Sequence, residues 1–329
     1  MSETGLWHFV KDSVNKTLIK TTGFKLVKSS QEQNPAFSPS YTFVDRSSNA
    51  ENLLLILAGF QPYYWDVVFS KVRNAQKAFH ENLDVCVCVP CGVECAFDDI
   101  KQRTTEIGWS MLYIKEDRLA QVQNTAIHLH PSAEWIFKID EDIIISEDYF
   151  QGLKRCYLEA DSKSMYKQGV ISPLLNLNAV GLPLFLNTFN LLSEYQSQFG
   201  NFKIRFEDSE DLDIVHKSPD VALFVWKHSI PFDDVSKEIE IKNKGKYSFA
   251  PIRLSIGAIL IKRTFWEQIG YFKVGSIGDM GVEEVQICSY CMTKMYSITI
   301  AEDVFAGHLG FFRQKETCHR FFEENKDML

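Results

Sequence analysis

A mainly parallel α/β sheet flanked by helices is the fold class this sequence predicts, and three observations predict it. Apolar runs of strand length recur through the first half of the chain: NLLLILAGF from Asn52, LDVCVCVP from Leu83, WSMLYIK from Trp109 and WIFKID from Trp135. Between them lie segments of helical period. Residues 66–80 place Val67, Val68, Val72, Ala75 and Phe79 on one face, and 97–107 and 119–129 follow the same pattern. Finally, 329 residues with 45% hydrophobic and 24% charged side chains make an ordinary globular composition with length for a large core. Strand–helix alternation of this kind builds a sheet with helices on both faces, and such sheets bind ligands at the carboxyl ends of their strands.

The second half is less regular. Residues 149–160 read as a helix, GVISPLLNL as extended and 185–199 as helical. The stretch 200–250, with FEDSEDLDIV and FVWKHSIPFDD, reads as an irregular elaboration on the core. RLSIGAILIKRTFW is a strand running into a helix at Thr264; 281–295 is helical, SITIAEDVF a last strand and GHLGFF a loop. The predicted domain therefore covers 51–312, divided into halves at 51–145 and 146–312, with 313–329 as a C-terminal tail. Residues 1–50 precede it. Leu6, Phe9, Val10, Val14, Leu18 and Ile19 stand near helical spacing among lysines, which suits packing on the main domain or contact with an anionic membrane surface. Residues 29–50, rich in Ser, Gln, Asn and Pro, read as a linker or a long surface segment.

The net charge of −8 argues against nucleic acid as a partner. No apolar run approaches the roughly 20 residues of a membrane span, and MSETGLWHFVKDSVNK has no signal-peptide core. The expectation is a cytoplasmic protein with reduced thiols, peripheral at the inner face of the plasma membrane if residues 1–28 bind lipid. CVCVPCGVEC and CSYC raise the question of a structural zinc. Alternating Val and Cys fit a buried strand, and the spacing fits no common zinc pattern, so core cysteines are expected.

Residues 135–150 read WIFKIDEDIIISEDYF, three acids between apolar runs. Clustered carboxylates raise one another's pKa unless a cation neutralises them. A solvated turn is one answer; a divalent metal on Asp140 and Asp142, spaced i and i+2 so as to face one side of an extended chain, is the other. The triplet closes the fourth predicted strand, which favours the metal. Glu141 would point the other way, and Lys138, two residues before Asp140, would help balance the charge.

Further pieces accompany this motif in order: LLLILAGF; RLAQVQNTAIHLHPSAEWIFKIDEDIII; SIGAILIKRTFWEQIGYF; GVEEVQICSYC; and a late His308 in GHLGF. Together, over about residues 51–312, they resemble the GT-A glycosyltransferases, most of all the inverting, family-two-like members of bacterial surface polysaccharide biosynthesis. The resemblance implies a transferase moving a hexosyl or N-acetylhexosaminyl group from a nucleotide diphosphate sugar, UDP-linked by preference, to a glycan or lipid-linked glycan. It implies Mn2+ or Mg2+ held by Asp142, with Asp140 and His308. It implies nucleotide contacts at Ala58, Gly59, Phe60, Asp99 (or Asp98), Asn124 and Asp140, and acceptor contacts at Trp226 and Gly257. Glu284 is implied as general base with Glu283 the close second, although many relatives carry Glu-Asp where this chain has Glu283-Glu284.

Two other classes fit parts of the pattern. A metal-dependent phosphoryl-transfer enzyme or hydrolase could use Asp140 and Asp142, but a haloacid-type phosphatase places its Asp-x-Asp on the first strand. A sugar nucleotidyltransferase needs a Gly- and basic-rich loop where this chain has AGFQPYYWD. A non-catalytic carbohydrate-binding protein has no need to keep Asp140, Asp142, Glu284 and His308 together.

Overall fold

Among the described residues, ten strands form one mixed sheet: β1 (Tyr41–Val44), β2 (Asn52–Leu57), β3 (Leu83–Val89), β4 (Ser110–Ile114), β5 (Trp135–Asp140), β6 (Ile143–Ile145), β7 (Lys167–Leu175), β8 (Tyr247–Phe249), β9 (Ala258–Lys262) and β10 (Tyr296–His308). The computed structural model describes residues 36–90, 94–116, 118–201, 214–250, 253–276, 281–310 and 312–329. The amphipathic stretch at 6–28, Cys91 and most of FEDSEDLDIV lie outside the described residues.

Across the sheet the order is β1-β4-β3-β2-β5-β9-β7-β10-β6, with β8 paired to β10 beside that path. The block β4-β3-β2-β5 is parallel throughout, and its carboxyl ends are in step, with Leu57 opposite both Cys88 and Asp140. Helices Trp65–Ala78, Glu94–Ile107 and Leu119–Leu129 make its crossovers. Beyond β5 the sheet is mixed: β9 runs antiparallel to β5 and β7, while β10 runs parallel to β7. The chain reaches β9 from β8 without a crossover helix, so nothing obliges β9 to run parallel.

The strands of the parallel block are buried on both faces. Leu54, Ile56, Val85 and Val87 enter one apolar layer; Leu53, Leu55, Leu57, Cys86 and Cys88 enter the other. Cys288 and Cys291 from the helix Val282–Lys294 join that second layer. Each thiol serves as a small apolar side chain, and among the described residues no group of three His, Cys, Asp or Glu is gathered closely enough to hold a metal ion. No helix of the described residues is long and apolar enough to cross a membrane.

The folded unit is larger than 51–312. Residues Ala36–Leu329 group together, because β1 pairs antiparallel with the edge strand β4 and the backbone N–H groups of Ser48 and Ala50 donate to the Asp84 carboxylate. At the other end, residues 315–324 are a helix that buries Cys318, Phe321 and Phe322 against Tyr64 and Trp226. The polar composition of 29–50 and 313–329 hid these attachments.

One side chain fixes the end of the parallel block. Glu141 follows β5 and is buried; its carboxylate accepts from Gly59 N at 2.8 Å, Phe60 N at 2.7 Å and Trp65 Nε1 at 2.6 Å. It thereby ties β5 to the turn after β2 and to the first helix. Burial pushes its pKa up to about 7, against the pull of those three donors. The folded state holds this proton more tightly than the unfolded chain, so Glu141 favours the fold below pH 4.5 and that contribution falls away as the pH rises toward about 7. At pH 8 we expect Glu141→Gln to lose about 2 kcal/mol of stability, because a single amide oxygen cannot replace two acceptor oxygens and leaves buried N–H groups unpaired. Chemical denaturation of both proteins at pH 8 measures this, and equal midpoints would remove the joint.

Candidate active site

The chain turns at Glu141 and Asp142, and the two aspartates take different partners. Asp140, at the end of β5, reaches Lys138, whose Nζ lies 2.7 Å from Oδ1. Its backbone N–H donates to Gly257 O at 2.9 Å, and a Cβ added to Gly257 would stand 3.4 Å from Asp140 Oδ2. A side chain at Gly257 would therefore make only ordinary contact with the carboxylate. Burial raises the pKa of Asp140; Lys138 opposes the rise and Asp142 adds to it.

Asp142 faces a different set of groups. Its Oδ2 accepts from Gln61 Nε2 at 2.8 Å, and its Oδ1 lies 3.6 Å from His308 Nε2. The meeting with His308 follows from sheet register: β6 pairs antiparallel with the end of β10, placing His308 opposite Ile143, and Leu309 N donates to Asp142 O at 2.9 Å. Burial works against ionisation of Asp142, but His308 and Gln61 outweigh it, and with help from Lys315 its pKa lies below the usual range.

Asp142 and His308 have the chemistry and spacing that a divalent cation requires. Ligand atoms about 2.1 Å from one metal stand roughly 3–4 Å apart, so the Asp142–His308 gap fits two ligands. An ionised carboxylate beside an imidazole suits a first-row cation such as Mn2+. The expected trio of Asp140, Asp142 and His308 is not gathered, because Lys138 engages the Asp140 carboxylate. The Asp142–His308 pair would fit such a cation.

Glu283 and Glu284 occupy the first turn of the helix Val282–Lys294, where the partial positive charge favours carboxylates. Burial raises both pKa values. Glu283 is opposed by its own backbone N–H and by Lys138, and pushed further by Asp140. Glu284 accepts from Arg253 Nε at 2.5 Å and, more weakly, from Ile256 N at 3.4 Å. Both therefore sit on the Lys138–Asp140 side of the site. Asp279 lies outside the described residues.

Other expected contacts fall elsewhere. Asn124 spends all four of its side-chain hydrogen bonds within the fold, donating to Ala36 O and Phe272 O and accepting from Trp266 Nε1 and Phe272 N. It has no bond left for a nucleotide. Trp226 is on the helix Pro219–Lys227, not in a loop; it is fully buried, and its Nε1 donates to His308 O at 2.9 Å. A Cβ on Gly307 would stand 2.5 Å from its ring, so the indole lies flush on the strand that delivers His308 and offers no face to a sugar. Asp99 is an exposed helix residue paired to Arg103, which also holds Asp66. Ala58 is buried, and the Gly59 and Phe60 N–H groups are taken by Glu141, while the Phe60 ring stays 47% exposed.

Three site residues, Gln61, Arg253 and Lys315, have no mark in the sequence. Gln61 and Tyr63 follow β2, and burial, then Asp142 and Glu141, raise the Tyr63 pKa. Lys315, exposed in the segment expected to be a tail, also lowers the Asp142 pKa. Arg253 precedes β9. A Lys or Arg in a polar segment carries no signal until the fold places it.

The sequence matches no family model and no curated protein. Among solved structures, one match is the mannosyltransferase PcManGT from Pyrobaculum calidifontis in complex with GDP-Man and Mn2+, at 12% sequence identity and a TM-score of 0.39 over 78% of this chain. The chain spans 58% of the length of that mannosyltransferase.

Proposed function

We propose that this chain is a metal-dependent glycosyltransferase of the GT-A type. It would move a hexosyl or N-acetylhexosaminyl group from a nucleotide diphosphate sugar, UDP-linked in the simplest case, to a hydroxyl of a glycan or lipid-linked glycan in polysaccharide biosynthesis. One observation carries the reading. The carboxyl end of the parallel block holds two separate acidic stations: Asp142 with His308, and Glu283–Glu284 beyond Lys138 and Asp140. A transferase needs both, one to neutralise a leaving diphosphate and one to take the acceptor proton.

Asp142 and His308 would hold Mn2+ or Mg2+, which when bound stabilises the charge that develops on the departing diphosphate. The nitrogen ligand tilts the choice toward Mn2+. Lys315 would add positive charge near Asp142, and the exposed Phe60 would supply a face for base or sugar. Gln61 fixes the Asp142 carboxylate in orientation. Glu284 would take the acceptor proton in an inverting displacement. Arg253 favours its ionised form, which a base requires, and aims it, leaving the second oxygen on the weaker Ile256 contact.

The test is a screen of nucleotide sugars for Mn2+-dependent hydrolysis, followed by two variants. Wild-type chain should release a nucleoside diphosphate from at least one donor, and Asp142→Ala should lose that turnover together with metal-dependent donor binding while remaining folded. Undiminished UDP–Mn2+ affinity in folded Asp142→Ala would remove Asp142 from the metal site. Phosphomonoester hydrolysis with no attack on nucleotide sugars would instead favour a phosphatase.

Glu284→Gln keeps shape and hydrogen-bonding reach but removes basicity. We expect transfer to fall about 10²–10⁴-fold with donor affinity little changed. Glu283→Gln should be milder. The reverse ranking would move the role by one residue, and normal transfer by both variants would place the base elsewhere or make the reaction retaining.

A further inference from the structure

Lys138 is a buried ammonium on the central strand β5, and nothing in the reaction above uses it. A buried charge is retained at a cost unless it is paired and hydrogen-bonded, and an apolar side chain of the same length would fill the space without that cost. Lys138 has two partners. Its Nζ lies 2.7 Å from Asp140 Oδ1 and donates to Ile256 O at 2.8 Å. Ile256 is also held through the preceding peptide, whose N–H donates weakly to Glu284 Oε2 at 3.4 Å. Arg253, three residues earlier, binds the other oxygen of Glu284, and the Asp140 N–H donates to Gly257 O. Asp140, Lys138, the 253–257 segment and Glu284 thus form a continuous chain from the acidic turn to the helix start. Lys138 and Arg253 are two cations facing three acids, Asp140, Glu283 and Glu284, and both glutamates feel Lys138.

We infer that Lys138 is a positioning residue: by gripping Asp140 and the Ile256 carbonyl together, it fixes the segment that aims Glu284 and so couples the donor side of the site to the proton acceptor. This deepens the function proposed above and rests on Glu284 being the base. Lys138 touches neither sugar nor diphosphate; it acts through Ile256 and Asp140.

Two measurements test it. The first needs no substrate: amide hydrogen exchange of the full-length, unliganded chain, wild type against Lys138→Met. Exchange at 253–257, the Ile256 amide above all, should quicken about tenfold or more while the parallel block is unchanged. Unaltered protection there would overturn the clamp. The second is kinetic. Lys138→Met should lower kcat by about tenfold or more with donor KM within about threefold, and the loss should vanish in a Glu284→Gln background because both changes act on one step. Additive losses, or a loss in donor KM alone, would overturn the coupling. Lys138→Gln, which keeps a donor for the Ile256 carbonyl without the charge, carries both measurements if Lys138→Met does not fold, and should fall between the two. If the wild-type chain turns over no nucleotide sugar, the proposed reaction fails, and exchange at Ile256 still decides whether Lys138 holds the segment.

Discussion

Three consecutive carboxylates cannot share one apolar surrounding, and the site depends on how the chain separates them. Glu141 goes to three N–H donors on the β2 turn and first helix, Asp140 to the Lys138 ammonium, and Asp142 to Gln61 and His308. Each acid has its own partners, so the turn is stable without solvent on all sides. The division also assigns work. Glu141 joins strands, Asp140 links β5 to the segment before β9, and Asp142 stands beside His308.

The rest of the molecule serves that division. His308 meets Asp142 only because β10 runs the full height of the sheet, shifts register between Ala301 and Phe305, and ends beside β6. Its end is held by the Trp226 indole lying on Gly307, and by Asn176 Oδ1 accepting the His308 N–H at 2.9 Å. The C-terminal helix closes the other side, where His319 packs at a tilt against Tyr63 with ring centroids 4.1 Å apart and Lys315 influences Asp142. Elements far apart in sequence converge through register and packing, which is why core residues such as Trp226 bear on the site without touching it.

Much of this was legible in the chain. The apolar runs and helical periods of the first half place β2 to β5 and their crossover helices within a few residues, because strands buried on both faces leave a strong signal. The acidic turn was visible as an anomaly at a strand end. What was not legible has a common cause, which is that it depends on long-range pairing. Tyr41–Val44 is a strand only because β4 offers an edge, and 315–324 is fixed only by Tyr64 and Trp226. An exposed loop tryptophan and a buried helical one look alike in sequence, and Asn124 shows its structural duty only when Phe272 and Trp266 arrive beside it. The spacing of Asp140 and Asp142 suggested one shared face; the separate partners of each carboxylate, Lys138 for one and Gln61 with His308 for the other, could not be read from it.

The central claim is that the carboxyl end of the parallel block binds a nucleoside diphosphate through a divalent cation. Calorimetric titration of UDP and GDP into the full-length chain, with and without Mn2+, tests it most directly. The account predicts saturable binding of at least one of them that requires Mn2+ and is reversed by a chelator. Binding that ignores the metal, or no binding of either nucleotide at millimolar concentration, would contradict it.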